Sequence, residues 1–333
     1  MNNLLRQITL QDASIQTSAI GFGCVSLTMH DRKSDAVRLL EQALDLGITH
    51  YDVAPLYGFG HAESILGEFL KGRRDKATVA TKFGLQPYEN LAKSRRLISL
   101  ARWLAHRSDV VMAMARKYAG QAVQRGVFDP QASALSLEKS LRKLGTDYID
   151  IFLMHECTLE DARREDLLAF LDEQKKGGKI RSYGCATPYS IFQDDAALLP
   201  PACSVLQFDS GVTTQHVSKL RNRADKTLIT HSVMNGATQL AALARQNPKL
   251  RQKYRLTEID LTNSSTIAGL LLSYAVQSNS EGITLFATTR LEHLIANVRC
   301  LTEKRFTTEQ LTAFQAFAED ALRPADELKI KLQ

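Results

Sequence analysis

The sequence predicts an α/β protein, a (β/α)8 TIM barrel with long loops after its third and seventh strands. Three observations predict it. Short β-rich runs alternate with helical patterns from about residue 18 to residue 302, and eight strands each followed by a helix is the count this barrel requires. The candidate strands are rich in Val, Ile, Phe and Tyr with little polar alternation, as expected of strands buried on both faces. Glycines stand where helices should close, at Gly47, Gly72, Gly145 and Gly177-Gly178.

In chain order the strands are expected at 19–25, 50–53, 78–82, 149–155, 181–186, 204–208, 227–231 and 282–287. Helices are expected between and after them at 35–46, 62–71, 130–144, 165–176, 191–199, 216–224, 264–277 and 291–301, with a further helix over 307–330 packed outside. A doubly wound sheet is the competing architecture, but it rarely needs eight regular units. Two connections, 84–130 and 232–263, are too long to be plain loops, and both fall where strands end, the active-site face of a barrel. They are expected to be lids or binding loops. No Pro/Gly-rich linker divides the chain, so residues 1–333 read as one barrel domain carrying a basic, lid-like insertion at 88–130.

The composition is that of a globular protein: 333 residues, 44% hydrophobic and 23% charged, with 18 glycines and 8 prolines, which excludes collagen-like, low-complexity and disordered classes. Five cysteines (Cys24, Cys157, Cys185, Cys203, Cys300) are scattered and form no CxxC pair, which argues against a disulfide framework or zinc ribbon and fits a reducing compartment. No metal site is expected, since no HExxH or other ligand spacing occurs. The first residues lack the apolar stretch of a signal peptide, and the longest nearly apolar run, 267–276, is too short to span a bilayer. A cytoplasmic protein is the expectation, with no membrane and no nucleic-acid partner and the oligomeric state open.

The formal charge is +6, but its excess is local. Between residues 88 and 130 eight basic residues stand against three acids, a net +5. Residues 91–125 have helical spacing with cations to one side and include Trp103, the single tryptophan. A lid helix with a solvated charged face is the favoured reading. Membrane, partner or nucleic-acid binding and the attraction of an anionic substrate are the others.

Chemistry concentrates at strand ends. Asp52 closes the second strand and Tyr57 lies five residues on; Lys82 closes the third and His155 the fourth. Taken singly, such an Asp is often a helix cap, a Tyr or His a satisfied core residue and a Lys solvated surface. Strand ends on one barrel face converge on a single pocket, so the four together indicate a reaction centre.

The motif from Gly47 to Glu63 (Gly-Ile-Thr-His-Tyr-Asp52-Val-Ala-Pro-Leu-Tyr57-Gly-Phe-Gly-His-Ala-Glu), the pair Thr81-Lys82 and the run from Ser136 to His155 resemble the aldo-keto reductase superfamily in order and spacing. The resemblance covers the chain outside the two long loops. Its Ala54–Gly60 portion is most similar to bacterial sugar or aldose dehydrogenase-like members. It implies the catalytic set Asp52, Tyr57, Lys82 and His155. Hydride addition builds charge on a carbonyl oxygen, which a nearby acid must protonate. Tyr57 would be that acid, the Lys82 ammonium would lower its pKa, Asp52 would hold Lys82, and His155 would orient the oxygen.

The resemblance also implies a nicotinamide cofactor, NADP ahead of NAD, held by Gly23, Cys24, Ala186, Thr187, Gln207, His231, Thr288, Arg290 and Asn297. Several of these depart from the family pattern. Ala186-Thr187 replaces Ser-Asn, His231 replaces a stacking tyrosine, and Ala296 replaces an adenine-side Glu. Arg290 at a helix start favours a phosphate, hence NADP. The implied activity is reduction of a small carbonyl compound or sugar, or oxidation of the matching alcohol. The rival is a barrel that binds the cofactor as a sensor or scaffold with little turnover.

Overall fold

A computed structural model describes residues 5–10, 14–87, 123–125 and 128–322 of the chain. The first described element is an antiparallel hairpin, β1 (Gln7–Leu10) with β2 (Ile15–Ser18). Then follow β3 (Ile20–Gly23), α1 (Lys33–Asp45), β4 (His50–Asp52), α2 (Ala62–Leu70) and β5 (Thr78–Phe83). A short ribbon, β6 (Leu85–Pro87) paired antiparallel with β7 (Val123–Arg125), leads to α3 (Pro130–Leu144) and β8 (Ile149–His155). Next come α4 (Leu159–Ala162), α5 (Glu165–Lys176), β9 (Ile180–Ala186), β10 (Val205–Asp209), α6 (His216–Lys219) and β11 (Thr227–His231). The chain continues through α7 (Ala237–Gln246), α8 (Pro248–Lys253), α9 (Ser264–Ser278), β12 (Ile283–Phe286), α10 (Leu291–Thr302) and α11 (Thr308–Leu322).

Strands β3, β4, β5, β8, β9, β10, β11 and β12 form a closed parallel barrel, with β12 pairing back onto β3. This is the expected (β/α)8 architecture. Local sequence explains its best-defined helix: Asp129 caps α3 by accepting from Ala132 N at 2.7 Å, Pro130 occupies the first turn, and Gly145 ends it at φ 63°.

The pleat divides the core in two. Ala80, Ile151, Leu153, Val205, Ile229, Ile283 and Leu285 pack inside the barrel, and Ile8, Leu10 and Ile15 of the hairpin join them. Their alternates, among them Phe22, Tyr51, Val79, Phe152 and Phe208, pack outward against the helices. Gly21 makes room inside: a Cβ there would lie 2.6 Å from His50 Cδ2 and 2.5 Å from Leu285 Cδ2.

Several expected elements differ. The first barrel strand ends at Gly23, and residues 24–29 turn into a 3-10 helix. The expected helix over 191–199 is instead two 3-10 turns, because Gln193 and Asp194 take left-handed φ of 47° and 61° that interrupt any helix. That over 216–224 shortens to the single turn of α6, with Asn222 at φ 54°. The long connection 232–263 carries α7 and α8, which join α9 and α11 in a second apolar cluster. The last helix is described to Leu322; the rest of 307–330, and most of the 88–130 insertion with Trp103, lie outside the described residues.

One outward group on β8 ties three strands. The Asp150 carboxylate, 1% exposed, accepts from Arg74 Nη2 at 2.7 Å, Arg181 Nη1 at 2.9 Å and the Val79 backbone N–H at 2.8 Å. Replacing it with alanine strips two guanidinium groups of their shared carboxylate. Asp150→Ala is expected to lower the unfolding free energy by about 3 kcal/mol, read from urea titrations at pH 7, with Asp150→Asn losing less because it can still accept hydrogen bonds.

Candidate active site

The inward positions at the C-terminal ends of seven barrel strands line one cavity of about 470 Å³: Gly23, Asp52, Lys82, His155, Ala186, Gln207 and His231. Tyr57 joins them from a 3-10 turn that starts just after β4, where its backbone N–H bonds Ala54 O at 3.0 Å.

Lys82 is the hub. Its Nζ lies 2.6 Å from Asp52 Oδ1 and donates to Val53 O at 3.2 Å and to the Tyr57 hydroxyl oxygen at 3.3 Å. The second Asp52 oxygen accepts from Gln207 Nε2 at 2.8 Å, so both carboxylate oxygens are satisfied. The His155 ring stands edge-on to Tyr57, centroids 6.4 Å apart at 87°. The four residues of the expected catalytic set are therefore brought together.

The electrostatics differ from the sequence expectation at one point. Burial raises the Tyr57 phenol above its ordinary value; Lys82 pulls it down, but by less, so the net direction is upward rather than downward. Burial also works against the Lys82 ammonium, yet Asp52 and Tyr57 outweigh it and hold its pKa above the usual lysine value. Burial, with Lys82 adding repulsion, lowers His155 to about 3, and its Nδ1 is buried without a hydrogen-bond partner. His231 is lowered for the same two reasons, and its Nδ1 lies 2.9 Å from Ser232 Oγ. The site holds a charged lysine, a protonated phenol and neutral imidazoles.

The expected cofactor positions divide. Thr187 lines the cavity, but its hydroxyl donates to Cys157 O at 2.8 Å. Cys24 is fully buried in the core outside the barrel, its thiol 3.7 Å from Phe22 O, and the cavity is lined by Val25 instead. Thr288 and Arg290 stand at the start of α10, where Thr288 Oγ1 accepts from Arg290 N at 3.1 Å and Ser26 Oγ bonds Thr288 O at 3.4 Å. The exposed Arg290 guanidinium lies 3.4 Å from Glu292. Asn297 is buried within α10. These last three do not line the cavity.

Glu156, Asp209 and Asn235 line the cavity and were not anticipated. Asp209 was legible: it is the next inward position after Gln207 on β10. Glu156 lies just beyond His155 in a turn at φ 55°, which no sequence pattern marks.

Among the described residues no group of three or more His, Cys, Asp or Glu side chains is arranged to hold a metal ion. No described helix is long and apolar enough to cross a membrane.

The model of the Aldo/keto reductase family matches residues 19–319. The chain belongs to the aldo/keto reductase family. It is 24% identical to the uncharacterized oxidoreductase YqkF of Bacillus subtilis, over 96% of this chain and 99% of that protein. The holo form of aldo-keto reductase AKR11C1 from Bacillus halodurans superposes with a TM-score of 0.67 at 20% identity, covering 94% of this chain and 96% of that one. An aldo-keto reductase from Klebsiella pneumoniae, solved in complex with NADPH, superposes with a TM-score of 0.64 at 18% identity, covering 97% of each chain.

Below Asp52, His50 is fully buried inside the barrel with neither ring nitrogen hydrogen-bonded, and burial lowers it to about 4. The unfolded histidine takes up its proton near pH 6.5, so the unfolded state binds more protons between pH 6.5 and 4 and stability falls on acidification. His50 is expected to account for about 2–3 kcal/mol of the stability lost between pH 7 and pH 4.5. Urea titrations at the two pH values should show the loss shrinking by that amount in His50→Leu.

Proposed function

We propose that this chain is an NADP(H)-dependent oxidoreductase of the alcohol dehydrogenase type, acting on the carbonyl or alcohol carbon of a small aldehyde, ketone or sugar. The observation that carries this reading is the Lys82 ammonium held between the Asp52 carboxylate and the Tyr57 hydroxyl on the wall of one cavity. NAD is the alternative cofactor. A cytoplasmic location accords with five free cysteines, all buried.

The residues present fit a nicotinamide cofactor. Gln207 commits its Nε2 to Asp52, which leaves its Oε1 as the acceptor for the nicotinamide amide. Thr288, Arg290 and the first N–H groups of α10 suit phosphate; the Arg290–Glu292 pair is exposed and easily exchanged for one. The NADPH complex of the Klebsiella relative supports the same assignment. When bound, the cofactor supplies hydride to the carbonyl carbon.

The protein's own groups do the rest. Tyr57 OH gives its proton to the carbonyl oxygen as charge develops there. The Lys82 ammonium, donating to the same phenol oxygen, stabilises the phenolate left behind. Asp52 keeps Lys82 charged and in place, and Gln207 keeps Asp52 in place. Neutral His155 offers a ring N–H to the carbonyl oxygen and orients it. In the oxidation direction the same proton returns to Tyr57.

One observation favours the rival reading of a cofactor-binding sensor or scaffold. Thr187 spends its hydroxyl on Cys157 O and Ala186 has no polar group, which thins the hold on a nicotinamide amide. Two measurements separate the readings. Titration with NADPH and with NADH, followed by cofactor fluorescence, is expected to show tighter binding of NADPH; binding of neither would overturn both. Tyr57→Phe is expected to cut turnover of a reducible aldehyde by at least about 100-fold and to leave the NADPH Kd close to that of the wild type; undiminished turnover would remove Tyr57 from the reaction. The raised Tyr57 pKa sets a third outcome. The kcat for reduction should stay level through pH 9 and fall only above about pH 10, where the phenol ionises.

A further inference from the structure

We infer that the cavity prefers carbonyl substrates carrying a positive charge over anionic ones, and that Glu156 sets this preference. The inference rests on the proposal that reduction occurs at Tyr57 and His155, and it names the class of substrate that site takes.

The charges on the described cavity wall are Asp52, Lys82, Glu156 and Asp209. Lys82 is already neutralised by Asp52 at 2.6 Å. The two imidazoles on the wall, His155 and His231, stay neutral. Glu156 makes no ion pair with a described residue, and Asp209 faces His216 Nδ1 at 3.4 Å while that nitrogen sits closer, at 2.7 Å, to the Asp209 backbone oxygen. Two carboxylates are therefore left without a lysine or arginine partner, and no cation among the described wall residues is free to greet an anionic substrate.

Glu156 is the better placed of the two. It lines the cavity and follows His155 directly, its Cα about 3.8 Å from that of the histidine. Its backbone sits at φ 55°, a left-handed conformation uncommon for a residue with a side chain, and its N–H is bonded to Ala186 O at 2.7 Å. That turn decides where the chain leaves β8 and sets residue 156 on the cavity wall. Glu156 is exposed at the mouth of the cavity, so an ammonium group a few bonds from the reacting carbonyl would meet it as a solvent-facing charge pair of modest strength. A carboxylate or phosphate in the same place would be repelled.

The test uses the full chain with NADPH and three rigid aldehydes of similar size: 4-(trimethylammonio)benzaldehyde, its uncharged analogue 4-tert-butylbenzaldehyde, and 4-carboxybenzaldehyde. Wild type, Glu156→Gln and Glu156→Asp are compared through kcat/KM relative to the uncharged aldehyde, so that intrinsic carbonyl reactivity cancels between proteins. The expected result is a cation-to-neutral ratio about threefold lower in Glu156→Gln, carried mainly by KM, with a higher anion-to-neutral ratio and partial retention of the preference in Glu156→Asp. The change should diminish at high salt. Unchanged ratios in Glu156→Gln would overturn the inference, as would an anionic ratio above the cationic one after correction for reactivity, which would point to the basic 91–125 stretch instead. If the uncharged aldehyde is reduced and only the charge preference is missing, this inference alone fails. If none of the three is reduced by protein that binds NADPH, the proposed reaction fails with it.

Discussion

Closing eight parallel strands on themselves forces every second side chain into one shared interior, and the rest of the molecule follows from that parity. On β8 the inward set runs Ile151, Leu153, His155; on β5 it is Ala80 and Lys82; on β4 it is His50 and Asp52. Apart from His50, the lower members fill the barrel with apolar atoms, and the upper ones meet at its rim. Slipping one strand by a single residue would send its reactive group out among the helices and bring an aromatic inward. The same alternation that builds the core thus aims the chemistry.

A buried ammonium is costly unless it is paired and hydrogen-bonded, and here each partner is itself held. Asp52 binds Lys82 with one oxygen and Gln207 with the other, from the far side of the barrel. Burial, with repulsion from Lys82, disfavours proton uptake by His155 nearby, and burial of Tyr57 keeps its phenol protonated. On the proposed mechanism, lysine does not act by creating a resting phenolate but by stabilising one when the proton leaves: burial sets the resting state, and the ion pair lowers the cost of departing from it.

The rim of the barrel carries residues that stand apart from its apolar interior. The Ala186 side chain offers no polar atom, Thr187 turns its hydroxyl to Cys157, and His231 stands at the end of β11. Glu156 occupies the first position past His155 in a left-handed turn. Ala186 also belongs to the apolar cluster inside the barrel, whereas His231 and Glu156 lie outside it and can vary without disturbing the pleat that positions Lys82.

Local pattern determined the architecture. Apolar runs of strand length, caps such as Asp129 and Gly145, and the order of Asp52, Tyr57, Lys82 and His155 all act over a few residues, so they are readable along the chain. The hairpin of β1 and β2 escaped because two four-residue strands carry too little periodicity, and they gain stability only by packing against the barrel's inner residues. Residues 191–199 kept a helical spacing of Phe192, Ala196 and Leu199, yet left-handed Gln193 and Asp194 and pairing of Ala196 N with Arg221 O decided otherwise. What only the tertiary structure decided is set by distance through space. Burial raised the Tyr57 pKa against the pull of Lys82, Gln207 reached Asp52 from 155 residues away, and Cys24 was drawn into the core while Val25 took the cavity wall. Desolvation and long-range contact depend on which elements pack together, and no neighbouring residue in the chain encodes them.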